Sequence, residues 1–440
     1  MNIIAIDCGA SFVKGALFVN GICKKNCRQK TPCVSQNINN FNKQIDGSVR
    51  VVRNLLEYLS DGIDKAGLAI SNEMHGFILA KDSGEPLTDY ISWQNEFGHK
   101  DVNGANALSL LKSSGLDRDI LKTGMPLRAG LPITNLLYLS LVGALDNIKD
   151  DVYCLTLGDF VVQTLSGQVP CCHPTNAAAT GFYDIEAGRW CQTLVETSIS
   201  GNSHIQMPRI GKTPLFFKLF NTDFTVLPAI GDQQAALLGA GFFESGELSF
   251  NMGTGGQVSV ISNKIVFSDQ YQVRPYFDGR FINTIPHIPS GRAINVYIRF
   301  IQDVLKTFGI EVEESKIWNA VLNPALYTSD SELVADMSFF ENAITSETNG
   351  SLKNISEYGL NVGTLFSAIF NQVADNYFEK AKILIKSDDV KRILFSGGLA
   401  RKVGYIRNRI QSKYKDGVKI SVSETDTLDG LNRYYCKEMF

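Results

Sequence analysis

The sequence predicts an α/β protein of two similar lobes around a cleft, and three observations lead there. A short apolar strand runs through a small-residue turn into a second strand twice, at Ile3 to Phe18 and at Leu248 to Val260. Strand-like and helix-like segments alternate along the rest of the chain. The 440 residues exceed what one hydrophobic core usually organises.

The first turn reads Asp7-Cys8-Gly9-Ala10-Ser11 and the second Asn251-Met252-Gly253-Thr254-Gly255-Gly256, so Asp7 aligns with Asn251 and Gly9 with Gly253. Glycine lets the backbone turn tightly and approach a ligand, and exposed N–H groups with small hydroxyls make a concavity suited to anionic oxygens. Two such turns suit a phosphorylated ligand held from opposite sides.

Gly15 to Val19 completes the first hairpin. Val52, Leu55, Leu56 and Leu59 follow at i, i+3, i+4 and i+7, one face of a helix. Leu68 to Ile70 and Phe77 to Leu79 read as strands, and Asp82-Ser83-Gly84-Glu85-Pro86 as a turn. Phe182 to Pro228 is aromatic-rich without a clear period, and the inter-lobe region is expected near its end. A division into 1–240 and 241–440 follows. In the second part Leu365, Phe366, Ile369, Phe370 and Val373 recur at helical spacing, and the strand Arg392 to Phe395 ends in a third glycine turn, Ser396-Gly397-Gly398.

Composition narrows the partners. The net charge is -3, and no Lys/Arg block gives the footprint of a nucleic-acid or membrane-surface binder. The chain opens on a strand rather than a leader, and no run approaches 18 apolar residues. A cytoplasmic protein with a small-molecule partner is expected. Nine cysteines at irregular positions suggest no disulfide framework. Cys23, Cys27 and Cys33 match no zinc spacing, and adjacent Cys171-Cys172-His173 would point to opposite faces of an extended segment, so packing roles are expected for both groups.

Ala229 to Gly239 places Asp232 at the mouth of a small-residue helix. Asp at a helix N-terminus is often only a cap. The same position suits a general base beside an acceptor hydroxyl and clear of phosphate charge.

These residues resemble the FGGY carbohydrate kinases, which share the two-lobed actin/hexokinase-like (ribonuclease H-like) ATPase fold. Asp7 to Ser11 with Lys14 looks like the family's first phosphate motif, and Gly231-Asp232-Gln233-Gln234-Ala235-Ala236 like its catalytic motif. Gly253-Thr254-Gly255 is similar to the second phosphate motif and Ser396-Gly397-Gly398-Leu399-Ala400-Arg401 to the adenosine motif. Thr175 to Gly181, with Asp184 and Trp190, resembles the stretch before the hinge. Ser71-Asn72-Glu73-Met74-His75-Gly76 is similar to the Met-His-Gly element of xylulokinases and sedoheptulokinases, and Ile91-Ser92-Trp93-Gln94-Asn95 to the Trp-Gln-Asp element of sedoheptulokinases.

The resemblance implies transfer of the ATP γ-phosphate to a terminal hydroxyl of a ketose, sedoheptulose before D-xylulose, and it implies a homodimer. Asp232 would take the hydroxyl proton, with Met74, His75, Trp93 and Gln233 around the sugar. Asp7 would hold Mg²⁺ through water. Gly9, Ala10, Ser11, Lys14, Gly253, Thr254 and Gly255 would face phosphate, and Gly397 and Gly398 the adenosine. Taken alone, His75 and Trp93 read as structural residues and Lys14 as a solvated strand residue. Ala10 and Phe12 depart from the family turn by losing a hydroxyl and adding bulk, and Asn72-Glu73 adds a carboxylate near the sugar residues. A non-catalytic sugar-binding sensor and an actin-like or chaperone ATPase are the rival readings; Asp7, Asp232 and Thr254 together stand against the first, and Met74-His75-Gly76 with Gly231-Asp232-Gln233-Gln234 against the second.

Overall fold

The computed structural model describes residues 1–32, 45–323, 327, 332–345, 348–423 and 427–439. They form two compact units. One comprises the described residues of Met1–Gly241, Lys264–Phe281 and Thr425–Phe440, the other those of Phe242–Asn263 and Ile282–Glu424.

The first unit is built on a sheet in the order Leu215–Leu219, Thr222–Val226, Lys65–Asn72, Asn2–Cys8, Phe12–Val19, Ile22–Lys30, with Ile230–Gly231 added beside the far end of Lys65–Asn72. Asn2–Cys8 runs antiparallel to Phe12–Val19, as the hairpin pattern predicts, and parallel to Lys65–Asn72. A parallel neighbour requires a crossover, and the helix Ile45–Ser60 lies in it. Its Val52, Leu55, Leu56 and Leu59 are buried with Ile4, Ile6, Leu68, Ile70 and Phe160 in one core, because the 3.6-residue period puts them on one stripe. A second core gathers Phe77, Leu79, Ile133, Leu136 and Phe182 around a three-stranded sheet of Ile205–Gln206, Val152–Leu155 and Ile78–Lys81.

The aperiodic stretch from Phe182 resolves into short pieces: a two-residue hairpin at Tyr183 and Trp190, the helix Gln192–Ser198 and the hairpin Leu215–Leu219/Thr222–Val226. Phe217 and Phe224 stack across that hairpin at 5.2 Å between centroids. Strands this short show too few alternations to stand out.

The chain returns to the first unit twice. The last described helix, Thr427–Met439, seats Gly430 against the Ala235 carbonyl and Tyr435 against Gly67, where a Cβ on either glycine would overlap its neighbour. Tyr434 donates from its hydroxyl to the Pro228 carbonyl at 3.1 Å.

In the second unit the strands run Phe281–Ile288, Gly256–Ser262, Glu247–Met252, Arg392–Ser396, Lys419–Val422. Glu247–Met252 repeats the first unit's arrangement, antiparallel to the next strand and parallel to a later one. The helix Val362–Leu384 starts at an Asn361/Thr364 capping box and buries Phe366, Ile369, Phe370 and Val373. Among the described residues no helix is long and apolar enough to cross a membrane, and no group of three or more His, Cys, Asp and Glu is placed to hold a metal. Cys33 and residues 424–426 lie outside the described residues. Cys171, Cys172 and His173 are buried, and the His173 ring caps a short helix by accepting from Thr175 N–H.

Candidate active site

In the first unit, Asp7 stands next to last on its strand, paired with Lys14 on one side and Ser71 on the other. It is 5% exposed. The Ser71 hydroxyl donates to its Oδ1 at 2.9 Å, and the Lys14 ammonium lies 3.7 Å from its Oδ2. The following turn closes through Gly9 N–H to Phe12 carbonyl at 3.1 Å and is braced by the Thr31 hydroxyl on the Gly9 carbonyl at 2.9 Å. Ala10 and Ser11 at its tip are exposed. Phe12 is also exposed, with the Arg28 guanidinium 5.2 Å from its ring.

The neighbouring parallel strand ends in Ser71-Asn72, and Ile230–Gly231 pairs with those two residues before the helix Asp232–Gly239 begins. Gly231, not Asp232, is the N-cap, so Asp232 is the first helical residue, and its Oδ1 accepts from Gln233 N–H at 2.7 Å. Gly231 is pinned by its N–H to the Thr175 hydroxyl at 3.2 Å. A Cβ on Gly231 would strike the Gln234 amide and press on the Met74 thioether, so a larger residue at the start of the helix would displace both side chains. Asn176 Nδ2 donates to Asn72 Oδ1 at 2.8 Å and to the Ala229 carbonyl at 3.0 Å, tying both strand ends together.

Met74 and His75 leave the same strand end. His75 adopts φ +65°, a left-handed conformation uncommon outside glycine, and its Nδ1 is 2.8 Å from the Ala179 carbonyl. Arg274, from the strand Gln272–Pro275, is buried against them: it donates to Gln233 Oε1, to Gln272 Oε1 and to the Met74 sulfur, and its Nη2 lies 3.5 Å from His75 Nε2. Burial pulls Arg274 down to about 9, the Arg128 charge pulls the same way, and the Asp232 carboxylate opposes them. Burial, reinforced by the charges of Asp232 and Cys8, pushes the Tyr90 phenol well above its ordinary value.

In the second unit three loops meet. Asn251 pairs with Gln257 on one side and Ser396 on the other, the position Asp7 holds in the first unit. Tyr377 donates to the Asn251 carbonyl at 2.8 Å. Gly291 and Arg292 donate their N–H groups to the Gly253 and Thr254 carbonyls at 3.1 and 2.9 Å. Gly397 has φ +89° and lies so close to the Met252 carbonyl that a side chain would be both strained and obstructed. Gly398 has open space at its Cβ position, and Thr254 and Gly255 are exposed.

The profile of the N-terminal domain of the FGGY family of carbohydrate kinases matches residues 2–239. The chain belongs to the FGGY family of carbohydrate kinases. Glycerol kinase from Roseobacter denitrificans is 29% identical over 236 residues, covering 49% of this FGGY chain and 45% of that protein. The match thus spans about half the length of that curated relative. The solved xylulose kinase of Lactobacillus acidophilus superposes with TM-score 0.81 at 18% identity, covering 99% of this chain and 89% of that one. The gluconate kinase of the same organism gives 0.80 at 18% identity, covering 100% and 89%. At such identities the likeness shows the fold, an FGGY kinase fold.

The sequence-expected residues of this FGGY protein fall into two groups. Asp7, Gly9, Lys14, Met74, His75, Asp232 and Gln233 gather at adjacent strand ends of the first unit, and Gly253, Thr254, Gly255, Gly397 and Gly398 in the second. Trp93 is 44% exposed. The Asn72 side chain of the departing Asn72-Glu73 pair is spent on Asn176 and the Glu73 carbonyl. Sequence reasoning missed Arg274; its one signal was a basic residue in Val273-Arg274-Pro275-Tyr276-Phe277, an otherwise apolar run.

Proposed function

We propose that this protein is an ATP-dependent carbohydrate kinase that phosphorylates a terminal hydroxyl of a ketose. The observation that carries the reading is Asp232: it begins a helix at a strand end, its carboxylate braced by Gln233 N–H, with Met74 and His75 on the adjoining strand end. There it would accept the proton of the attacking hydroxyl, a role worth roughly 10²- to 10⁴-fold. Gln233 and His75 would orient the sugar. Thr254 and the backbone of Gly253 and Gly255 would hold phosphate oxygens, and the bare backbone of Gly397 and Gly398 would leave room for the nucleoside.

Asp7 fits a magnesium ion that keeps most of its water. It offers a single buried carboxylate with one oxygen held by Ser71, rather than a cage of ligands. When bound, the ion would neutralise charge on the phosphates. Lys14, beside Asp7, would add positive charge to the same region.

Sedoheptulose is the favoured ketose, from Ser92-Trp93-Gln94-Asn95 and Met74-His75-Gly76 together. D-Xylulose is the alternative, supported by the second element alone and in keeping with the xylulose kinases of this fold. ADP release from Mg-ATP, measured with sedoheptulose, D-xylulose, L-xylulose, D-ribulose, L-ribulose, L-fuculose, glycerol and gluconate, tests the reading. One sugar with turnover that Asp232→Asn removes supports it and names the substrate. Sugar binding without turnover replaces it with the sensor reading.

A further inference from the structure

A guanidinium has five N–H donors and no acceptor. In Arg274 the Nε–H is given to Gln272 Oε1, the Nη1 pair to Gln233 Oε1 and Met74 Sδ, and the Nη2 pair to Gln272 Oε1 and toward His75 Nε2. All five donors meet neutral partners, and the residue is 5% exposed. Arg274 is therefore not arranged to grip a substrate anion. Its charge is held in the interior by Gln272 and by three residues of the proposed sugar-facing set, Met74, His75 and Gln233.

That geometry fixes the polarity of two side chains. Gln233 presents its carbonyl oxygen to a donor, so a flipped amide would set N–H against N–H; the amide nitrogen, with its two N–H groups, is therefore on the side away from Arg274. A guanidinium cannot accept, so His75 Nε2 carries the lone pair on that side. The proton then sits on Nδ1 and is donated to the Ala179 carbonyl at 2.8 Å.

We propose that Arg274 is a positioning residue that sets the hydrogen-bonding polarity of the sugar site, with the Gln233 amide nitrogen as a donor and His75 as the Nδ1–H tautomer. The role rests on the carbohydrate-kinase reading above. A site with fixed polarity rejects a sugar whose hydroxyl is missing or inverted, because its own polar groups are then left unpaired.

The test compares Arg274→Met and Arg274→Lys with the unaltered protein, using the panel sugar that the unaltered protein turns over. Methionine removes every donor. Lysine keeps the charge but cannot span Gln233 and Gln272 together. The expected result is a sugar KM raised about tenfold or more by Arg274→Met and by a smaller factor in Arg274→Lys, with the KM for ATP within about twofold throughout. A merely structural role would lower kcat through the folded fraction and leave KM alone, and that outcome overturns the proposal. If Arg274→Met does not fold, Arg274→Lys decides: an unmoved sugar KM overturns the role. Absence of turnover by the unaltered protein with every sugar sinks the kinase reading and this role with it, whereas turnover with unmoved KM values sinks the role alone.

Discussion

The Thr175 hydroxyl accepts a hydrogen bond from Gly231 N–H at 3.2 Å, fixing the residue that directly precedes Asp232. The carboxylate is thus located by a side chain 57 positions away in the chain (232 − 175), and its place does not rest on its own helix alone. Replacing Asp232 with Asn keeps size and shape and removes the proton acceptor. Sugar-dependent ADP release is expected to fall by roughly 10²-fold or more. Nucleotide binding, followed by calorimetry, is expected to stay within about twofold, and near-normal turnover would falsify the base assignment.

Thr254 sits exposed between Gly253 and Gly255, with its carbonyl held by Arg292 N–H at 2.9 Å. The loop is anchored by backbone, so Thr254→Val alters the hydroxyl and little else. Use of ATP should weaken by about the same factor with every accepted sugar, on the order of the tenfold that one hydrogen bond to a charged group contributes. A change confined to sugar preference would move Thr254 away from phosphate.

Gly430→Ala places a methyl group on the Ala235 carbonyl, which is backbone and has no rotamer to yield. Overpacking of this kind costs about 1–3 kcal/mol, and more where backbone must shift. A lower midpoint in urea unfolding followed by circular dichroism is expected. An unchanged midpoint would mean that the two helices slide apart freely.

Asp159, which bonds the Cys172 thiol, and His173, the residue after Cys172, are both buried and tilt stability in opposite directions with pH. Burial raises the Asp159 carboxyl to about 6, so the folded state binds that proton more tightly than the unfolded chain, and stability falls as pH rises from about 4 to 6. Burial lowers His173 to about 3, so the unfolded chain takes its proton first, and stability falls as pH drops from about 6.5 toward 3. Asp159→Asn should leave the acid loss steeper, and His173→Gln should flatten it. Urea midpoints at pH 4, 5, 6 and 7 read both, and parallel curves for all three proteins would contradict the assignment.

Much of this architecture was legible because its signals are local. Val52, Leu55, Leu56 and Leu59 declare a helix face within two turns, and the glycine turns after Asp7, Asn251 and Ser396 mark strand ends by composition. Asp232 was legible for the same reason. Arg274 was not, since its partners Met74, His75 and Gln233 lie 200, 199 and 41 positions away, and a single sequence carries no sign of pairs formed across such distances. The Asn72 to Asn176 bond, 104 positions apart, was hidden likewise, so nothing in the sequence showed that the Asn72 side chain braces two strand ends.

The seat of Thr427–Met439 against Gly67, Pro228 and Ala235 sets a schedule. On a ribosome, residues up to Gly241 emerge early but wait for Tyr434 and Tyr435 to complete their packing, while the described residues of the inserted second unit all precede residue 424. The unit begun first is therefore finished last. A released chain truncated after residue 423 would keep the strands of the second unit and leave the first unsealed, with Gly67 and the Asp232 helix open to solvent or to a chaperone.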